Sequence, residues 1–307
     1  MRLYIRELWI VIPSLMLLAV LFMIPENPYL KKREAIMIGD QLFQSNRYAE
    51  ALQTWLSIPN IQSSNHHPDE RRNIAIIQNN IGIIYYEKIA KKPDAKQARK
   101  WFRIAANNGD NNAQLIYGKL LINGIGGKQD INKGVAWVYQ AAQKGVPDAW
   151  RTYATLHLTG NHLKRDVSVA LPWLMKLAQQ NDGEALNILG MIYFQDANGR
   201  KDIQQAIKFF EQGVAAGHAG SMNNLGKIYQ EGLSVPVDST RALKYYQQSA
   251  QLGDPEGMNR LGVMLFLGQS TPPDREQALT YIRRAAALGH TDAKNNLAAI
   301  EQQASTK

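Results

Sequence analysis

The 307-residue sequence contains no cysteine. That excludes a disulfide scaffold, thiolate zinc sites, iron–sulfur ligation, a cysteine nucleophile and a lipid-modified N-terminal cysteine. It leaves the redox compartment open. Aromatics are sparse at 8%. There is no Gly-x-Ser-x-Gly and no His-Glu-x-x-His. Gly124, Gly126, Gly127 and Lys128 have the wrong spacing for a phosphate loop, and no Ser or Thr follows the lysine. No arginine-rich arm and no lysine run with interleaved aromatics is present. The net charge of +9 reads as scattered among glutamines and asparagines, a solvated basic surface rather than a nucleic-acid site. With 45% hydrophobic and 20% charged residues, the chain can bury a core and is about two domains long.

The longest apolar run is Leu8–Ile24, which carries no charge. Its 17 residues span roughly 25 Å as a helix, near the lower limit for crossing a bilayer. Trp9 and Tyr29 suit the two interfaces. No Ala-x-Ala cleavage site follows, and Pro25 and Pro28 read as helix stops. The expectation is an uncleaved signal anchor over residues 1–34, a single-pass helix in a bacterial inner membrane. Arg2 and Arg6 precede the run and Lys31, Lys32 and Arg33 follow it, so the charge bias is nearly balanced. A short basic tail still favours a cytoplasmic N-terminus, with the bulk of the chain in the periplasm.

Stepping through the chain in 36s aligns five columns. One reads Gly82, Gly118, Ala154, Gly190, Gly226, Gly262. A second reads Asp94, Asp130, Asp166, Asp202, Asp238, Asp274. A third is aromatic: Trp101, Trp137, Trp173, Phe209, Tyr245, Tyr281. A fourth is small, from Ala98 to Ala278. The last reads Gly109, Gly145, Asn181, Gly217, Gly253, Gly289. Apolar residues at helical spacing mark a first helix, where the small column admits a close neighbour. The Asp column suits the N-cap of a second helix, and the last column suits a left-handed C-terminal cap. Each unit is therefore a helical hairpin, and repeated hairpins stack into a solenoid.

Tyr117-Gly118, Gly124-Ile125-Gly126, Asp130, Trp137, Ala141-Ala142 and Gly145 resemble the Sel-one-like repeat, a branch of the tetratricopeptide superfamily. So do Leu225-Gly226, Tyr229, Gly232, Asp238, Ala242, Tyr245-Tyr246, Ala250 and Gly253. The fold expected is all-α, a solenoid of six such repeats over 77–292, preceded by one transmembrane helix. Residues 35–58 read as a tetratricopeptide-like hairpin, 59–69 as a polar linker and 293–307 as a capping helix and tail. The third repeat departs most, with Ala154, His157 and Pro172 at atypical places.

No catalytic, cofactor or metal site emerges. His66 and His67 beside Asp69 and Glu70 read as a solvated loop, and His157 as core. His162 lies in a turn, and His218 and His290 share one turn position that reads as structural. Counting each first helix from its small opening residue (Ala113, Ala149, Ala185), positions 3, 7 and 10 lie opposite the core. Position 3 carries Asn79, Leu115, Arg151, Asn187, Asn223, Asn259 and Asn295; position 7 includes Lys227; position 10 includes Phe194 and Phe266. The resemblance implies that first helices line a concave side. There the amides could pair with an extended peptide backbone, and Phe194, Lys227 and Phe266 could anchor it. An Asn-rich solvated face is the competing reading. The function expected is non-catalytic binding of a protein partner, with no nucleic acid and no small-molecule substrate. Immunity protein, envelope organiser and cell-wall hydrolase are the alternatives.

Overall fold

A computed structural model describes residues 28–63, 66–87, 93–195 and 201–305. The described residues are helical apart from turns and short connections. The apolar run Leu8–Ile24 lies outside them; among the described residues no helix is long and apolar enough to cross a membrane. The chain forms two compact units, meeting in sequence at Ala149 and Trp150.

The first unit opens with α1 (Pro28–Gln44) and α2 (Tyr48–Leu56), then α3 (Pro68–Tyr86), α4 (Ala95–Asn107), α5 (Asn111–Asn123) and α6 (Ile131–Gln143). Pro28 is the first described residue of α1; the helix that Pro25 and Pro28 were expected to stop lies outside the described residues. Of the residues 59–69, expected as a polar linker, several of the described ones are held against α3. Ile61 is buried, and the Gln78 amide donates to the Ile61 and Ser63 carbonyls at 2.6 and 3.1 Å. His66, expected in a solvated loop, is buried as well.

The second unit comprises α7 (Pro147–Thr159) from Trp150 onward, α8 (Val167–Gln179), α9 (Gly183–Phe194), α10 (Ile203–Ala215), α11 (Ala219–Glu231), α12 (Ser239–Gln251), α13 (Pro255–Leu267), α14 (Arg275–Ala287) and the closing α15 (Thr291–Ser305). Pro172 lies inside α8, which continues past it; Leu174 and Leu177 beyond it are buried. The first helices α9, α11 and α13 pack on one another more closely than the second helices do, which places them on the tighter side of this unit.

The repeat columns each have a physical job. All six aspartates of the second column cap a second helix, accepting a backbone N–H two or three residues on. Each such cap contributes about 1 kcal/mol. The backbone N–H of the same aspartate donates to the carbonyl nine residues earlier, in the first helix: Asp94 to Tyr85, Asp130 to Leu121, Asp166 to His157, Asp202 to Tyr193, Asp238 to Tyr229 and Asp274 to Leu265, at 2.8–3.0 Å. One residue thus ties both helices of a hairpin.

The small column is explained by approach distance. A Cβ on Gly190 would meet Phe210 at 2.4 Å, one on Gly226 would meet Tyr246 at 2.5 Å, and one on Gly262 would meet Ile282 at 2.6 Å. Gly217 and Gly253 have open space around them; there the left-handed backbone (φ +75° and +85°) selects glycine. The aromatic column pairs across each hairpin, with Tyr117–Trp137, Tyr153–Trp173, Tyr193–Phe209 and Tyr229–Tyr245 ring centroids 5.6–6.0 Å apart. Such pairs contribute about 0.5–1.5 kcal/mol beyond their buried area.

Candidate partner-binding face

The first-helix face of the second unit is built by α7, α9, α11 and α13. Its position-3 residues do not hold free donors and acceptors toward a peptide. They join each repeat to the next. Arg151 on α7 bonds Asp182 and Glu184 at the start of α9, the latter at 2.7 Å. Asn187 on α9 accepts from the Asn224 amide of α11 at 2.8 Å. Asn223 on α11 donates to Asp254 at 2.7 Å. Asn259 on α13 accepts from the Asn296 amide of α15 at 2.9 Å. Asn223 and Asn259 are only 8% and 6% exposed. These bonds form a polar ladder between repeats, in which Asn223 and Asn259 are buried and Asn187 is half-buried. In the first unit, Asn79 and Leu115 of the same column are buried too.

What the face presents is the rest of the set. Phe194 and Phe266 are half-buried against the core of the second unit, each with one side open. The Arg275 guanidinium sits 5.5 Å from the Phe266 ring centroid. Lys227 is half-exposed between them in sequence. The nearby Gln230 is held internally, accepting from the Tyr246 hydroxyl at 3.0 Å and donating to Gln269 at 3.0 Å. Burial pushes Tyr246 up to about 12, so it stays a neutral donor.

The ladder is electrostatically settled. Burial raises the Asp182 carboxyl, but the Arg151 hydrogen bond and backbone N–H groups outweigh it and hold the carboxyl below the usual range. The hydrogen bond to Asp182 in turn raises Arg151 further.

A second cap column, not distinguished in the sequence, opens the first helices: Asp110, Asp182, His218, Asp254 and His290. His218 Nδ1 accepts from the Ser221 N–H and His290 Nδ1 from the Ala293 N–H, both at 3.2 Å. The signal was available, because the two histidines alternate with aspartates at a 36-residue step. The capping role also bears on metal binding. Glu256, His290 and Asp292 bring three ligand-type atoms within 4.8 Å of one another. His290 uses Nδ1 for its cap and donates from Nε2 to Glu256 at 2.6 Å, which leaves neither ring nitrogen for a cation. His157 occupies the core column as expected, with neither ring nitrogen bonded.

The Sel1 repeat pattern matches residues 78–110, 111–146, 153–182, 183–218, 219–254 and 255–290. A Sel1 repeat protein from Oxalobacter formigenes superposes with a TM-score of 0.66 and 28% identity, over 82% of this chain and 99% of that one. The protective antigen c5321 of uropathogenic Escherichia coli, which displays an SLR fold, gives 0.72 at 23% identity, over 89% and 57% of the two chains. The immunity protein Pa5087 of Pseudomonas aeruginosa gives 0.40 at 17% identity over 71% and 83%, too loose a likeness to carry an argument about function. No curated protein matches the chain. With six matched repeats covering more than half of its length, the chain belongs to the Sel1 repeat family.

Proposed function

We propose that this chain is a non-catalytic scaffold that binds a protein partner on the first-helix face of its second unit. The observation that carries the reading is the inter-repeat ladder. It locks successive first helices in register, so the face exists before any partner arrives and little order must be gained on binding. Phe194 and Phe266 are its apolar anchors, and Lys227 and Arg275 supply charge beside them. Asn187 is the ladder amide most open to a partner, being half-buried where Asn223 and Asn259 are buried. The aspartates of the repeat column all serve as helix caps, which supports a structural use of these carboxylates rather than a reaction.

The apolar run Leu8–Ile24 anchors the chain in a bacterial inner membrane, and the repeats lie in the periplasm. A C-terminal alkaline phosphatase fusion tests this part; an inactive fusion with the protein present rules it out. For the face itself, a photo-crosslinking residue at position 227 is compared with one at Lys244, exposed on the second-helix side. A partner captured at 227 and not at 244, and lost with Phe194→Ala and Phe266→Ala, supports the reading. Capture at 244 alone, or equal capture at both, overturns it.

A further inference from the structure

The charge is not scattered, as the sequence suggested. Between Lys88 and Lys144 there are eleven Lys and Arg against three Asp, a net of +8 in a chain whose total is +9. The three aspartates are Asp94, Asp110 and Asp130, and all three are helix caps. Within this region α4 carries Lys96, Arg99, Lys100 and Arg103 at i, i+3, i+4 and i+7, on one face. They span about 10 Å of helix. With Gln97, Tyr117 and Gly126 they line a cleft of about 360 Å³.

The cleft is built rather than incidental. Arg99 donates to the Ile125 carbonyl at 3.2 Å and to the Lys128 carbonyl at 2.7 Å, which fixes its guanidinium against the turn. Gly126 is pressed so close that a Cβ there would meet the Ala95 carbonyl oxygen at 2.1 Å. Lys100 donates to the neutral Gln62 side chain at 2.8 Å. Among the described residues, no carboxylate pairs with any of the four cations.

We propose that this cationic cleft of the first unit is a second docking surface and that it takes an acidic polypeptide segment, with Lys96 and Arg103 free to meet carboxylates at its two ends. This surface is independent of the first-helix face of the second unit. Three observations select the partner. The unpaired charge is all positive, so the complement is anionic. The site is concave and its lining offers no exposed apolar side chain to enter a bilayer, which disfavours a lipid surface. Tyr117, the aromatic in the lining of the cleft, is buried, as are Trp101 and Phe102 of α4, so the cleft itself offers no aromatic face on which bases could stack.

The test is fluorescence anisotropy on the full chain in non-ionic detergent at low salt. The probes are a labelled glutamate-rich peptide, its glutamine counterpart, anionic phosphatidylglycerol vesicles and single-stranded DNA. K96E/R103E changes two exposed residues whose side chains have no partner among the described residues, and K208E/K244E makes the same charge change on exposed positions of the second unit. Circular dichroism checks that both remain helical. The glutamate peptide is expected to bind, to weaken at least about tenfold in K96E/R103E and to stay within about twofold in K208E/K244E. Equal losses in both variants, no binding of the glutamate peptide, or tighter binding of vesicles or DNA would each overturn the proposal.

Discussion

One oxygen of Asp254 holds three helices together: Oδ1 accepts from the Asn223 amide at 2.7 Å, from the Gly257 N–H at 2.8 Å and from the Ser249 hydroxyl at 3.2 Å. Asn223 lies on α11, Ser249 on α12 and Gly257 on α13. A helix cap, a turn bond and an inter-repeat bond meet at a single acceptor.

Asn223→Ala therefore removes a bond to a charged group and is expected to cost about 1–3 kcal/mol of stability. Asn223→Asp, which sets a second carboxylate against Asp254, is expected to cost more. Urea unfolding followed by circular dichroism measures both. An alanine variant as stable as the parent would mean that the ladder contributes nothing.

Gly226→Ala and Gly217→Ala separate two reasons for glycine. The first drives a methyl into the Tyr246 ring, and overpacking of this kind costs about 1–3 kcal/mol. The second meets open space and only the left-handed backbone resists it, at about 1 kcal/mol. Gly217→Asn should recover much of the second loss, since Asn181 already adopts φ +58° at the equivalent place. A Gly217→Asn variant less stable than Gly217→Ala would contradict this assignment.

His157 makes the second unit acid-sensitive. Burial pushes it below its ordinary value of 6.5, and the nearby Asp166 charge raises it by less. The fold holds the ring neutral while the unfolded chain takes up a proton near 6.5, so the unfolded state binds more protons in the window just below that value. The stability is fully present above 6.5 and is lost as pH falls from there toward the lowered native value. His157→Leu, the residue type at the equivalent Leu121 and Leu265, should remove that loss. Hydrogen exchange of the α7 and α8 amides across this pH range reads it. His66 carries the same sign through burial and then the Lys32 charge, but it sits in the first unit and should not change exchange in α7.

The features legible in the sequence were those whose cause is local. An aspartate before an amphipathic run caps within three residues, and a glycine opposite a bulky side chain recurs in a hairpin of fixed length. The ladder was less legible because its partners lie 31 and 37 residues apart and asparagine is abundant everywhere in the chain. Asn187, Asn223 and Asn259 shared the expected face, but the step from one repeat to the next closes over that face at position 3. His218 and His290 hid as caps because histidine is an unusual acceptor there. The cationic cleft could have been read from the helical spacing of Lys96, Arg99, Lys100 and Arg103; what the sequence lacked was the 125–128 turn that forms its other wall.

The bond from each capping aspartate to the carbonyl nine residues before it has a consequence for how such a chain can be edited. The clasp counts residues but ignores their identity, so it fixes the length of the loop between first and second helix, while the loop's composition is held only where a residue such as Gly126 packs against a neighbour or takes a left-handed backbone. A single inserted residue there slips one clasp. Excision or duplication of a full 36-residue period leaves every clasp closed. Arrays of this kind can therefore gain or lose whole hairpins, while new surface chemistry along that edge has to come from substitution.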